Sequence, residues 1–322
     1  MIEKLQSLIE SEIKKQKYGN KPQSLYEPIH YLMSIGGKRL RPLLVLLAYR
    51  LYKPDVKSIV PYAVAVEAFH NFTLMHDDIM DKAPLRRGKE TVHKKWNVNT
   101  AILSGDVMLV KVYEMFSKLE PAKFKTVIER FNRCAAEVCE GQQWDMEFEA
   151  SENVTEREYI NMIRLKTAVL LGFSLELGAI LADAPENDRE LLREFGTNIG
   201  VGFQLKDDLL DAYADPKKFG KQVGGDIIAN KKTYLLIQAI AQSSTAQRRE
   251  LDSWLKAKKF RKSAKVEAVK AIYDSLDIPK LTGKKVNQYF DKGFSSLDAL
   301  TVPEESRNVL RAFTEALIER QS

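Results

Sequence analysis

Cysteine is nearly absent: the chain of 322 residues has two, Cys134 and Cys139. That excludes a disulfide framework. Five positions apart, the two point roughly 140° away from each other on a helix and read as buried thiols of a reducing cytosol. Glycine and proline are scarce too, at 16 and 11 residues, about 8% of the chain against about 12% in average usage. Few breakers mean long uninterrupted elements. Strand signals are poor, with no Asn-Gly hairpin dipeptide and few alternating β-branched runs. No clean apolar run of about 20 residues exists; the best candidate, 168–182, carries Ser174 and Glu176 and reads as a buried core helix. Residues 1–10 are amphipathic and charged, so no secretory leader is expected. The net charge of +6, from 50 basic and 44 acidic residues, is too mild and too dispersed to point to nucleic acid. It suits a site for anions.

What remains is a globular composition, 44% apolar and 29% charged, patterned at the helical period. Apolar residues recur at three and four in Leu5, Ile9 and Ile13, in Leu43, Leu46 and Leu47, in Ile160, Ile163, Leu170 and Leu171, and in Val309, Leu310, Phe313 and Leu317. Breaks are expected near 18–22, 36–37, 53–55, 83–88, 120–121, 150–155, 183–185, 215–225, 243–245 and 277–283. The fold class expected is all-α, with about ten to twelve helices. No low-complexity linker divides the chain.

One pattern occurs twice. His76-Asp77-Asp78-Ile79-Met80-Asp81 and Lys206-Asp207-Asp208-Leu209-Leu210-Asp211 both place Asp-Asp-x-x-Asp at the end of an apolar helical run. On a helix Asp77 and Asp81 lie roughly 40° apart, one turn apart on one face, as do Asp207 and Asp211. Like charges at this spacing destabilise a helix by a few tenths of a kcal/mol. Tolerating that twice points to a compensating cation, and oxygen ligands select the hard cations Mg²⁺ or Mn²⁺. The alternative is a pair of solvated acidic helix ends. Cations are interleaved with the clusters: Gly36-Gly37-Lys38-Arg39-Leu40-Arg41-Pro42, then Arg86-Arg87-Gly88, then Lys166-Thr167, Lys221 and Lys231. Arginine forks suit phosphate groups, and lysine is a compact charge. Together they read as a site for one or more diphosphates. His70 lies within roughly 20° of the Asp77 stripe and can face the same space.

In this order the motifs resemble the trans-isoprenyl diphosphate synthase (polyprenyl synthetase) family. The resemblance rests on residues 36–42, Glu67 and His70, Asp77 to Asp81 with Arg86-Arg87-Gly88, Ser104-Gly105-Asp106, Gly141-Gln142 with Asp145, Lys166-Thr167, Gly202-Phe203-Gln204 with Asp207 to Asp211, Phe219-Gly220-Lys221, Gly225-Asp226 and Lys231. It thins after about residue 240. It implies one all-α domain over 1–322, a helical bundle around a central cavity, working as a cytoplasmic homodimer without stable membrane insertion. It implies that an allylic diphosphate ionises and alkylates isopentenyl diphosphate, with Asp77, Asp81 and Asp207 as principal Mg²⁺ ligands. Asp211 would act through water or a third ion. Arg86, Lys166, Lys221 and Lys231, with Thr167 and Gln204, would hold the allylic diphosphate, and Lys38, Arg41, His70 and Arg87 the isopentenyl diphosphate.

The chain departs from the family's late basic pattern, Gly-Lys-x-Thr-Leu-Pro, with Asn230-Lys231-Lys232-Thr233-Tyr234-Leu235; lysine and threonine survive while glycine and proline do not. Product length follows from the resemblance as well. Phe72 and Thr73, five and four residues before the first cluster, would floor the cavity, one aromatic beside a small neighbour matching a geranylgeranyl (C20) arrangement, with farnesyl (C15) next. Helix geometry alone puts Phe72 roughly 140° from Asp77 and does not aim it into the cavity. Rival readings are a terpene cyclase, a His-Asp metal phosphohydrolase and a non-catalytic regulatory subunit. The intact second cluster, the presence of four histidines only and the retention of both aspartate sets argue against each in turn. The central expectation is spatial: the two acidic helix ends converge across an apolar tunnel.

Overall fold

Breakers decide where this chain stops being helical, and most expected breaks separate helices. The computed structural model describes residues 1–214 and 223–319; Lys221 and the expected 215–222 part of one break lie outside the described residues. In chain order the helices are α1 (Ile2–Lys15), α2 (Gln23–Ser34), α3 (Leu40–Arg50), α4 (Val60–Met80), α5 (Val92–Lys95), α6 (Val98–Phe116), α7 (Pro121–Ala150), α8 (Glu156–Ile163), α9 (Val169–Leu181), α10 (Glu186–Tyr213), α11 (Gly225–Ile228), α12 (Tyr234–Gln242), α13 (Thr245–Lys256), α14 (Lys262–Ser275), α15 (Ile278–Asp298) and α16 (Glu304–Glu319). The all-α class is borne out. Short connections divide the described residues into more helices than the ten to twelve expected. Of the break expected at 277–283, only Asp277 interrupts the chain. Gly283 lies inside α15, because one helical glycine costs about 1 kcal/mol and packing overrides it. Among the described residues, β-structure is confined to one hairpin, β1 (Leu85–Arg86) with β2 (Lys89–Glu90), pairing Leu85 with Glu90 and Arg86 with Lys89.

The chain groups into two compact units. One comprises Met1–Arg133, Phe173–Arg193 and Thr301–Ser306, the other Cys134–Gly172, Glu194–Leu300 and Arg307–Ser322. In the first unit α4 is buried on all sides from Ala63 to Phe69, and α3 from Pro42 to Tyr49. Small residues in α4 (Ala63, Ala65, Ala68) let neighbours approach closely. Phe69, Phe116 and Phe173 surround Phe131, with ring centroids 5.0, 5.3 and 5.8 Å from it, the first two edge-on and the third tilted; edge-on pairs add about 0.5–1.5 kcal/mol beyond area burial. This packing fixes the C-terminal end of α4, where the first acidic cluster sits. In the second unit Leu235, Leu236, Ala239, Leu251, Val269, Ile272 and Tyr273 form a core, with Phe195 against Phe294 and Phe203 against Phe290.

The apolar stretch at 168–182 is α9, buried along its whole length, and its Glu176 pairs with Arg130 at 3.2 Å. No helix among the described residues is long and apolar enough to cross a membrane. Both cysteines are free; Cys134 is buried as expected, but Cys139 is exposed, because the 140° between them takes the second thiol off the buried face of α7.

Candidate active site

The first acidic cluster closes α4. Asp77 and Asp78 lie in its last turn and Asp81 is its C-cap, the N–H of Asp81 bonding the carbonyl of Asp77 at 2.9 Å. The three carboxylates are not equivalent. The Asp78 side chain is 3% exposed, and Arg86 holds it with Nε 2.9 Å from both oxygens and Nη2 2.7 Å from one. Burial pushes its carboxyl pKa up, and the Arg86 pair opposes the shift. Asp77 is half-buried, 3.5 Å from the same Nη2, and Asp81 is exposed. The middle carboxylate is the buried one, and the outer two lie one turn apart nearer the surface.

Arg86 reaches back because the chain reverses at Arg87-Gly88. Both residues have positive φ, +53° and +73°, as a two-residue primed hairpin turn requires. The turn also aims Arg87, whose Nη1 donates to the carbonyl of Gly36. A Cβ on Gly37 would lie 2.6 Å from the Arg87 guanidinium carbon, so a larger residue would make the fork shift, and φ of +140° there favours glycine as well.

The three cations after Gly37 part company. Arg39 turns inward, 4% exposed, and bonds Glu10 and Glu67 at 2.8 Å and the Met33 carbonyl at 2.7 Å. Lys38 is exposed. Nη1 of Arg41 lies 3.0 Å from Nε2 of His70. A guanidinium only donates, so Nε2 carries the lone pair and Nδ1 the proton. Burial, then Arg41, Arg87, Arg86 and Arg39, hold the His70 pKa well below its ordinary value. Four guanidinium groups thus act on one neutral imidazole, a positive potential suited to a polyanion. Nearby on α4 the half-buried Phe72 ring packs on Phe69 and His76, with centroids 5.7 and 4.8 Å away. The hydroxyl of Thr73 bonds the His70 carbonyl at 2.8 Å.

The second cluster, within α10, repeats the division of labour. Asp208 is 5% exposed; the hydroxyl of Tyr159 donates to its Oδ2, and Nε2 of Gln204 donates to Oδ1 at 3.2 Å. Its pKa is pushed up to about 7, chiefly by burial, with Asp226 adding to the rise and Tyr159, Gln204 and Lys231 opposing it. Asp207 is exposed. Asp211 is half-buried, and its Oδ2 accepts from the N–H of Asp226 at 2.9 Å. Asp208, Asp211, Asp226 and Lys231 line one small cleft with Tyr273 and several aliphatic residues.

Lys166 and Thr167 sit on a feature absent from the sequence reading, a π-helical turn at Arg164–Ala168 between α8 and α9. It carries one more residue per turn than the α-helix and is a common device at functional sites. The turn lies against α7 at Gly141, where a Cβ would meet the Lys166 nitrogen at 2.2 Å. Nζ of Lys166 lies 2.5 Å from Asp145, and the Thr167 hydroxyl 3.4 Å from Oε1 of Gln204, which joins Thr167 to the Asp208 network.

The polyprenyl synthetase family pattern matches residues 22–275. The chain belongs to the polyprenyl synthetase family. It is 41% identical over 273 residues to the short chain isoprenyl diphosphate synthase of Methanocaldococcus jannaschii, covering 84% of this chain and 83% of that relative. It is 34% identical over 317 residues to the geranylgeranyl pyrophosphate synthase of Geoglobus acetivorans, covering 97% and 96%. A crystal structure of a geranylgeranyl pyrophosphate synthase superposes with a TM-score of 0.95 at 44% identity, covering 100% of this chain and 99% of the other. The likeness to this synthetase fold therefore extends through the helices after residue 240, where the motifs thin.

Three features of the synthetase site escaped the sequence: the hairpin, the π-turn and Tyr159. Arg-Gly is a weaker hairpin signal than Asn-Gly, a one-residue π insertion hardly disturbs apolar periodicity, and Tyr159 lies in no acidic or basic motif. His93 lies close enough to Asp78 for the two charges to interact. Among the described residues no group of three or more acidic, histidine or cysteine side chains could hold a metal by itself. Mg²⁺ takes one or two carboxylates and completes its shell with water and substrate oxygens. The outer carboxylates of each cluster are all-oxygen donors of that kind.

Proposed function

We propose that this synthetase condenses isopentenyl diphosphate head-to-tail with an allylic diphosphate in a Mg²⁺-dependent reaction, and that its product is geranylgeranyl diphosphate (C20). The observation that carries the reading is the shared build of the two clusters: each buries its middle aspartate and keeps the outer two nearer the surface, with Arg86 beside the first and Lys231 beside the second.

In this reading Asp77, Asp81 and Asp207 hold up to three Mg²⁺ ions, with Mn²⁺ as a substitute. Asp211, already engaged by the Asp226 N–H, acts through water or the third ion. The bound ions supply charge stabilisation for the departing diphosphate. Arg86, Lys166, Lys221 and Lys231 grip the allylic diphosphate, and Thr167 and Gln204 flank it. Lys38, Arg41, His70 and Arg87 hold isopentenyl diphosphate. The allylic C–O bond breaks and the diphosphate keeps the electron pair. The isopentenyl double bond then attacks the carbocation, and a proton leaves to the released diphosphate. An apolar cavity protects the cation from water, and Phe72 with Thr73 forms its floor.

In this reading the chain works as one domain over 1–322. The protein works as a cytoplasmic homodimer. The exposed apolar side chains of α6 support the dimer: Leu103 and Val110 are 57% and 55% exposed, and Ile102 and Tyr113 flank them. Mixing the purified protein with Mg²⁺, isopentenyl diphosphate and, separately, dimethylallyl, geranyl or farnesyl diphosphate tests the reading. Chain elongation ending at C20 and abolished by EDTA is expected. A C15 end point would replace the product assignment, and cyclic hydrocarbon or no elongation would sink the reaction itself.

A further inference from the structure

α11 ends in a closure that the family's glycine would suit and that this chain builds with asparagine. The N–H of Lys231 bonds the Asp226 carbonyl at 2.9 Å and that of Asn230 the Ile227 carbonyl at 3.3 Å, while Asn230 takes φ +57°. This is a Schellman motif with Asn230 as its left-handed residue, a place filled first by glycine and second by asparagine. Asparagine carries strain there that glycine avoids. Here its side chain is used at both ends: Nδ2 donates to the Leu255 carbonyl at 2.9 Å, and Oδ1 accepts from Nζ of Lys265 at 2.5 Å.

Lys265, on α14, is 0% exposed. Its partners among the described residues are neutral: Asn230 Oδ1, the Ile228 carbonyl at 3.4 Å and the face of Phe260, 4.4 Å from the ring centroid. An ammonium buried without a counter-charge is destabilising, and burial lowers its pKa. A methionine would fill the same volume at less cost to the fold. What lysine adds is a donor aimed at the turn that delivers Lys231. On the far side of Lys231, the N–H of Thr233 bonds the Lys231 carbonyl at 2.8 Å, and Thr233 caps α12. Lys231 is thus pinned from both sides at the edge of the cleft that holds Asp208, Asp211 and Asp226.

We propose that Lys265 is a positioning residue for Lys231, clamping Asn230 so that this chain can dispense with the family's glycine; the inference rests on the reading that Lys231 grips the allylic diphosphate. Three variants of the full-length protein test it: Lys265→Met, Lys231→Met and the double variant Asn230→Gly with Lys265→Met. The measurements are KM for each substrate, kcat and Tm. Lys265→Met is expected to raise the allylic diphosphate KM about tenfold, the scale of one lost charged hydrogen bond. The isopentenyl diphosphate KM stays put, and Tm is unchanged or higher, as apolar replacement of a buried charge allows. The double variant returns the allylic KM to within about threefold of wild type, since glycine holds the turn without a clamp. An allylic KM left at its wild-type value by Lys265→Met but raised by Lys231→Met overturns the inference alone. So does equal impairment of the single and double variants with lowered Tm, the signature of a packing role. A wild-type KM in Lys231→Met removes the parent reading of Lys231, and the inference with it.

Discussion

Asp78 and Asp81 are three positions apart and differ in what surrounds them. Asp78 is buried under Arg86; Asp81 faces solvent at the helix end. Neutralising Asp81 and removing the partner of Asp78 should have opposite consequences for stability. Asp81→Asn relieves a like-charge pair worth a few tenths of a kcal/mol and is expected to hold or raise Tm while lowering kcat/KM by about 100-fold or more, the scale of a lost electrostatic contact in a transition state. Arg86→Ala leaves Asp78 buried and unpaired and should lower unfolding free energy by about 3 kcal/mol in urea titrations. Equal Tm losses in the two variants would contradict the division between them. His70 gives a pH signature. Its folded-state pKa lies below the ordinary 6.5, so the folded chain binds fewer protons than the unfolded one as pH falls through that value. The stability is whole above about 6.5 and is lost below it. Urea midpoints should fall more steeply from pH 7 to pH 5.5 in wild type than in His70→Gln; parallel slopes would show that His70 is not the group responsible. The spacing of the aspartates was legible in the sequence. Which of them is buried was not, because Arg86 reaches Asp78 only through a hairpin turn with two left-handed residues.

At the scale of elements, α9 and the helical ends of both clusters could be read from apolar periodicity and scarce glycine. The π-turn at Arg164–Ala168 could not, since a single added residue leaves Ile160, Ile163, Leu170 and Leu171 on plausible faces. The physical trace it left was Gly141, which reads as a motif residue and serves as a seat for the turn's backbone. Gly141→Ala puts a methyl where the Lys166 backbone lies, and neither α7 nor the turn can yield a flexible side chain. A loss of about 1–3 kcal/mol is expected from such overpacking. It should be accompanied by a raised allylic diphosphate KM, because Lys166 moves with the turn. Thermal melts and substrate titrations check the pair of effects, and a stability loss with unchanged KM would separate the turn from substrate binding. Asn230 was visible only as a departure from a pattern; Lys265, one basic residue among many, gave no sign in the sequence of being fully buried.

For the whole molecule, class and family were legible because the motifs are numerous and ordered, whereas the division into two compact units is a long-range property that no local spacing encodes. Product length is the sharpest global readout. Phe72→Ala is expected to shift the end point from C20 toward longer chains, seen by chromatography of the dephosphorylated products, and unchanged length would remove Phe72 from the floor. Assembly is the other. Leu103→Glu on α6 is expected to convert a dimer to a monomer in light scattering, while an unaltered mass would place the contact elsewhere. The bare apolar face of α6 has one more consequence. A lone copy carries four greasy side chains into water, a hazard for self-adhesion.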